Sequence, residues 1–165
     1  MDSHSDAPAG LLTHLLQLRN LLNRGALYEQ AAEAAQVTLE RPAMTILVIL
    51  HSADRPLRVG EIATRMHVVG PHVTRQLNGL EKRAMVKRVP DPDDQRARLI
   101  ALTPSAQRLV ERYTTVVNGW FAAAIADWPA DDRSELVRLI GRLTEDLTTQ
   151  LDAVVPGSVP QEGED

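Results

Sequence analysis

The most constraining stretch runs from Leu57 to Leu102, because its order of elements leaves few folds open. A short extended piece leads into a first helix with Ile62, Ala63 and Met66 on one apolar stripe. Val68-Val69-Gly70-Pro71 breaks that pattern, and Pro71 suits the first turn of a new helix, where its missing N–H has no partner to lose. The second helix packs Val73, Leu77, Leu80 and Ala84 inward and turns His72, Arg75, Gln76 and Gly79 outward. Met85–Val89 and Ala97–Leu102 then read as strands, joined by the turn-forming run from Pro90 to Arg96. Helix, turn, helix and β-hairpin in this order make a winged helix-turn-helix.

Charge says what such a module meets. Arg55 to Pro90 holds eight basic residues, Arg55, Arg58, Arg65, Arg75, Lys82, Arg83, Lys87 and Arg88, against Glu61 and Glu81, a net of +6 on a chain of net charge −4. Both lysines of the protein lie in it. A cationic patch on an acidic chain is the footprint of a phosphate-binding face, so double-stranded DNA is the expected partner.

The segment from about Thr38 to Leu109 resembles the MarR (multiple antibiotic resistance regulator) family. LRVGEIATRM matches its scaffold helix, VTRQLNGLEKRAMV its recognition helix, and DPDDQRARLIALTPSA its wing and the start of the next helix. The wing signature, Asp94-x-Arg96 followed by a strand ending in Leu102-Thr103, is the most specific part. The chain departs from the family pattern in having Val69 where serine caps the recognition helix, and alanine at Ala84 and Ala106 where glycine is usual. The resemblance implies N- and C-terminal helices interleaved between two subunits, a minor-groove role for Arg96 with Asp94 orienting it, and release from DNA by a small ligand.

Composition narrows the rest. At 165 residues the chain makes one domain, or one long-armed domain that pairs with a copy of itself. Aromatics are only 3 %, so the core must come from Leu, Val, Ile and Ala. Without cysteine there is no disulfide, thiol nucleophile, thiol redox switch or thiolate metal site, which rules out a peroxide-sensing branch. No stretch approaches the roughly 20 apolar residues of a membrane span, and MDSHSDAPAG lacks the basic and apolar regions of a signal peptide. No membrane partner is expected, and a cytoplasmic location is.

In order along the chain, residues 1–10 read as a disordered N-terminus. A single long helix is expected from Gly10 to about Glu33, with Leu11, Leu15, Leu18 and Leu22 as its seam. Thr38 is a plausible N-cap for the next helix, whose near-continuous apolar run suggests it is sandwiched. Leu57-Arg58-Val59 could pair with the wing as a third strand. Thr103-Pro104 starts a helix expected to reach about Trp128, and a last helix follows Pro129 with Asp131 and Asp132 complementing its dipole. Dimerisation helices are therefore expected at 11–34 and 104–152, the DNA-binding lobe at 38–103, and a disordered acidic tail at 153–165. The terminal helices carry apolar faces too wide for a small winged helix to cover, which a symmetric dimer would bury; an intrachain bundle is the alternative.

No enzyme is expected: there is no G-x-S-x-G, no glycine-rich phosphate loop and no H-E-x-x-H. Histidines at 51, 67 and 72 read as solvent-facing or satisfied, and the Asp91, Asp93, Asp94 cluster lacks the glycine and glutamate of a calcium loop, so no metal or other cofactor is expected. His14, Arg19, His51 and Tyr113 are polar groups among aliphatic stripes, a mix that suits a pocket for a small aromatic or anionic ligand.

The fold class is thus mainly α with a small antiparallel β-wing, a winged helix-turn-helix flanked by N- and C-terminal dimerisation helices. Candidate DNA contacts are Arg58, Pro71, His72, Thr74, Arg75, Asn78, Lys82, Arg88, Asp94, Arg96 and Arg98. The function expected is that of a homodimeric transcriptional regulator, most simply a repressor, released by a ligand from an inverted-repeat operator. The alternative is a winged-helix protein-interaction module without DNA binding.

Overall fold

The computed structural model describes residues 10–94 and 96–154. Its elements are α1 (Leu11–Leu22), α2 (Gly25–Ala34), α3 (Arg41–Ala53), α4 (Val59–Met66), α5 (Gly70–Lys82), β1 (Val86–Pro90), β2 (Arg98–Leu102), α6 (Pro104–Ala124) and α7 (Ala130–Val154). Two compact units divide the chain, one up to Gly119 and one from Trp120 onward. The expected termini, apart from Gly10 and residues 153 and 154, lie outside the described residues.

The core of the first unit is aliphatic. Met44, Ile46 and Leu47 of α3, Ile62 of α4, Val73, Leu77 and Leu80 of α5 and Val110 of α6 are all fully enclosed, with Leu57 and Ile100 beside them. Helix α3 is covered along most of its length because its apolar run leaves only a narrow polar edge, Arg41, Thr45 and Ser52, exposed. Truncating a residue as enclosed as Leu77 to alanine would cost about 2–5 kcal/mol.

Strands β1 and β2 pair antiparallel, with Val86 opposite Leu102 and Pro90 opposite Arg98. Each begins one residue later than the sequence predicts. The expected third strand shrinks to one residue: Leu57 exchanges both backbone bonds with Ile100, at 3.0 and 2.8 Å, and Val59 already opens α4.

Four other expectations are corrected. The single long N-terminal helix is two, because Arg24 is extended between α1 and α2. Their environments differ: α1 has no buried residue, whereas Ala31 and Ala32 of α2 are buried. Thr38 does not cap α3; Glu40 holds that position without a side-chain bond, while the Thr38 hydroxyl accepts the Arg83 guanidinium at 3.0 Å. Helix α6 stops at Ala124, before the turn that leads to Trp128 and Pro129. Ala84 is not part of the α5 stripe. The amide of Ala84 bonds the carbonyl of Glu81 and that of Met85 the carbonyl of Leu80, which closes the helix in a Schellman turn with Ala84 exposed at φ +52°. The start of α6 is as expected, Thr103 Oγ1 accepting the Ala106 amide at 3.3 Å.

Candidate nucleic-acid interface

Helix α5 presents its polar side because its apolar side is fixed inward at Val73, Leu77 and Leu80. Pro71, Arg75, Asn78 and Lys82, spaced i, i+4, i+7, i+11, form the exposed ridge, with Thr74 and Gly79 beside it. Together with Gly70 they line an open concavity along the helix. His72 and Gln76, expected to face outward, are half-buried on the flank of this ridge. The N-terminal cap is Val69, which supplies no side-chain bond.

Several side chains on this face bond one another. Arg75 donates Nη2 to His72 Nδ1 at 3.4 Å, and Thr74 donates its hydroxyl to the Gly70 carbonyl at 3.1 Å. Arg88, on the wing strand β1, donates Nε to Glu81 at 3.2 Å and Nη2 to Asn78 Oδ1 at 3.4 Å. The wing is thereby tied to the second half of α5, with two expected contact residues, Asn78 and Arg88, held together.

At the tip, Asp94 accepts the backbone amide of Arg96 at 2.9 Å. It thereby shapes the turn and holds Arg96 by its main chain. Arg96 and Arg98 are both exposed, and Arg98 donates Nη1 to the Ala97 carbonyl at 3.0 Å.

The residue that sequence reasoning missed is Asp91. It is only 4 % exposed, and its carboxylate receives Arg58 Nη2 at 2.6 Å, Arg58 Nε at 2.8 Å and the Asp93 amide at 2.9 Å. The Asp93 amide, with help from the Arg58 guanidinium, holds this carboxyl below the usual carboxylate range against the opposing effect of desolvation. Its only sequence signal was membership of an acidic run, in which every aspartate looks alike. Glu61, on α4, is also held low, chiefly by Arg55 at 2.6 Å.

The expected ligand residues all sit in the first unit, on three elements. His14 and Arg19 are exposed on α1, His51 is half-buried near the end of α3, and Tyr113 is half-buried on α6. Among the described residues no hydrogen bond or ion pair joins any two of them. Tyr113 instead faces Tyr28 with ring centroids 6.0 Å apart, and Tyr28 donates its hydroxyl to the Leu39 carbonyl at 2.6 Å. Burial raises both phenols above the usual tyrosine value. A separate cleft of about 510 Å³ lies between the end of α2 and α6, where Arg108, Arg112, Glu111 and Gln36 supply polar groups beside Ala35 and Val116. No described helix is long and apolar enough to cross a membrane.

Comparison with known proteins agrees with this geometry. Residues 39–97 match the model of the MarR family. A Bacillus subtilis relative described as the uncharacterized HTH-type transcriptional regulator YdgJ is 24 % identical over 123 residues, which cover 74 % of this chain and 71 % of the relative. Among solved structures, a MepR mutant from a multidrug-resistant S. aureus clinical isolate aligns with a TM-score of 0.67 at 20 % identity, covering 82 % of this chain and 96 % of its own. MarR aligns with a TM-score of 0.64 at 20 % identity, covering 93 % and 99 %. A third, an S. aureus MepR mutant bound to an oligodeoxyribonucleotide, has a TM-score of 0.54 at 20 % identity and covers 82 % and 97 %.

Proposed function

We propose that this chain, a MarR-family protein by its winged-helix segment over residues 39–97, is a homodimeric, sequence-specific transcriptional regulator that a small ligand releases from its operator. The observation that carries the reading is the exposed ridge of α5, where Pro71, Arg75, Asn78 and Lys82 stand clear of the core with a charged wing beside them. A helix of this kind fits the major groove with its N-terminal half on the bases. Thr74, Arg75 and Asn78 are then base-reading residues, His72 supports Arg75, and Lys82, Arg88 and Arg98 meet phosphates. Arg96 enters the minor groove from the turn that Asp94 shapes, and Arg58 adds charge at the edge.

Two such lobes in one dimer require inverted half-sites about one helical turn, or roughly 10–10.5 base pairs, apart. Repression is the simplest outcome of occupying such a site. The ligand is small and aromatic or anionic; His14, Arg19, His51 and Tyr113 are its proposed contacts. The cleft with Arg108 and Arg112 keeps a net positive lining with Glu111 counted, which favours an anion on the same unit.

The test is selection of bound sequences from a random duplex pool, followed by band shifts on the winner and on the DNA upstream of the protein's own reading frame. An inverted repeat is expected. Arg75→Ala should then relax preference at one symmetric pair of positions, a loss of about 1–3 kcal/mol of discrimination. Uniform weakening on all sequences would make Arg75 a phosphate contact. Failure to enrich any sequence would leave the interaction-module reading in place.

A further inference from the structure

Asp91 is the one buried charged side chain among the described residues, and it stands where the wing loop leaves β1. Its partner Arg58 occupies the N-cap position of α4, and the two are 33 positions apart in the chain. The bonds continue on both sides. Glu61 accepts the Arg58 backbone amide at 2.8 Å and the Arg55 guanidinium at 2.6 Å, which fixes the first turn of α4. Beyond Asp91 the loop is closed by Asp93 N–H to Asp91 Oδ1, Arg96 N–H to Asp94 Oδ1 at 2.9 Å and Ala97 N–H to the Asp94 carbonyl at 3.0 Å. The Asp91 amide also donates to the Ala97 carbonyl at 3.4 Å, which links the scaffold helix through Asp91 to the turn at the wing tip.

We propose that Arg58 is a positioning residue, which sets the angle of the wing through Asp91 and so delivers Arg96 to the minor groove, and is not itself a DNA contact. This rests on the DNA-binding reading above and revises the part assigned to Arg58 there. To meet a phosphate squarely, the guanidinium would have to release Asp91 and leave a buried carboxylate without its cation. Uncompensated burial of that kind costs more than an exposed phosphate contact returns. The pair is also neutral as a unit, so it adds little to long-range attraction for DNA.

Simple charge counting and positioning predict opposite results at Asp91 and the same sign at Arg58. Removing a positive charge in Arg58→Gln should weaken DNA binding, and removing a negative one in Asp91→Asn should tighten it, if only charge matters. If position matters, both weaken binding, each by roughly tenfold, the middle of the range for coupled neighbours. The decisive arm is a cycle with Arg96→Ala. When Arg58 acts through the wing, Arg58→Gln costs less than about twofold once Arg96 is gone. A full additional loss in that background, or tighter binding by Asp91→Asn, overturns the proposal.

Asp91→Asn is at a buried position, so its fold is checked by thermal melting. Should it not fold, the cycle between the exposed Arg58 and Arg96 decides alone. Hydrogen exchange on the DNA-free protein gives a readout independent of any operator. Arg58→Gln should speed exchange at the amides of Asp93, Arg96 and Ala97 while those in the core of α5 stay protected. Unchanged exchange there also overturns the proposal. A wild-type protein that shifts no DNA while Arg58→Gln loosens the wing would separate the two questions, removing the functional reading and keeping the wing clamp.

Discussion

Two side chains flanking α5 sit in places that favour a different residue. Val69 occupies the N-cap of α5 and cannot accept an amide proton there. Ala84 occupies the left-handed position of the Schellman turn after it, at φ +52°, where a Cβ crowds the following carbonyl. Since Val69 is 72 % exposed, replacing it removes little packing. Val69→Ser should therefore raise stability by about 1 kcal/mol through the new cap. Ala84→Gly should gain a similar or smaller amount, because relief of about 1–2 kcal/mol of left-handed strain is partly offset by the entropy glycine loses on folding. Urea midpoints at unchanged slope measure both; a lowered midpoint for either refutes the cap or strain argument. The two tyrosines, Tyr28 and Tyr113, make a third case. Burial lifts both above the usual 10.0, so the folded chain holds the phenol protons longer than the unfolded one. That contribution to stability is complete below pH 10 and lost as pH rises through the folded values. Absorbance at 295 nm should show both phenols ionising later in the native protein than in urea, while a native curve overlaying the denatured one would mean neither ring is buried.

Among the elements, those with a strong period were legible and those set by a single cap or contact were not. The stripes Ile62–Ala63 and Val73–Leu77–Leu80 carry α4 and α5 in the sequence, and they are buried in the structure. The division of α1 from α2 was hidden because leucines continue to Leu22 on one side and Leu27 follows on the other, while the break depends on one extended residue, Arg24. The wing was legible as a hairpin through Pro90, Pro92 and the aspartates, but which aspartate is structural depends on Arg58, and no local pattern reports a partner 33 residues away. The same limit hid the bond of Arg88 to Asn78, two residues read as independent contacts. Asp94 allows a direct test of how the wing turn is made. Its oxygen accepts the Arg96 amide, and an asparagine oxygen can do the same. Asp94→Asn should keep operator affinity at or slightly above wild type, since it also removes a negative charge, whereas Asp94→Ala should lose affinity with the turn. If Asp94→Asn is as weak as Asp94→Ala, the carboxylate charge, rather than the turn, is what the wing needs.

The terminal helices raise a question that one chain cannot answer within itself. In α1, Leu12 is 70 % exposed and Leu21 51 %, and Leu15, Leu16, Leu18 and Leu22 are exposed with them. In α7, Val137, Leu139, Ile140, Leu147 and Leu151 are likewise exposed, and none of that helix's described side chains is buried. Contiguous apolar surface of this kind is rare on monomers and marks association. A second copy of the chain is the occupant proposed, since a two-fold axis matches the inverted half-sites expected of the operator. Leu21→Glu combined with Leu147→Glu tests it without touching the core of the first unit, because Leu21 is half exposed and Leu147 is 46 % exposed. The wild-type protein should sediment as a dimer at micromolar concentration and melt at a temperature that rises with concentration, as mass action requires. The double variant should sediment as a monomer, lose the concentration dependence and bind a single half-site only weakly. Its operator affinity should fall by roughly 10²-fold or more, because the second lobe is no longer delivered at the high local concentration the dimer provides. A wild-type chain that sediments as a monomer while still protecting both half-sites would mean that the DNA itself brings the two copies together, and the helices would then need another partner to cover them.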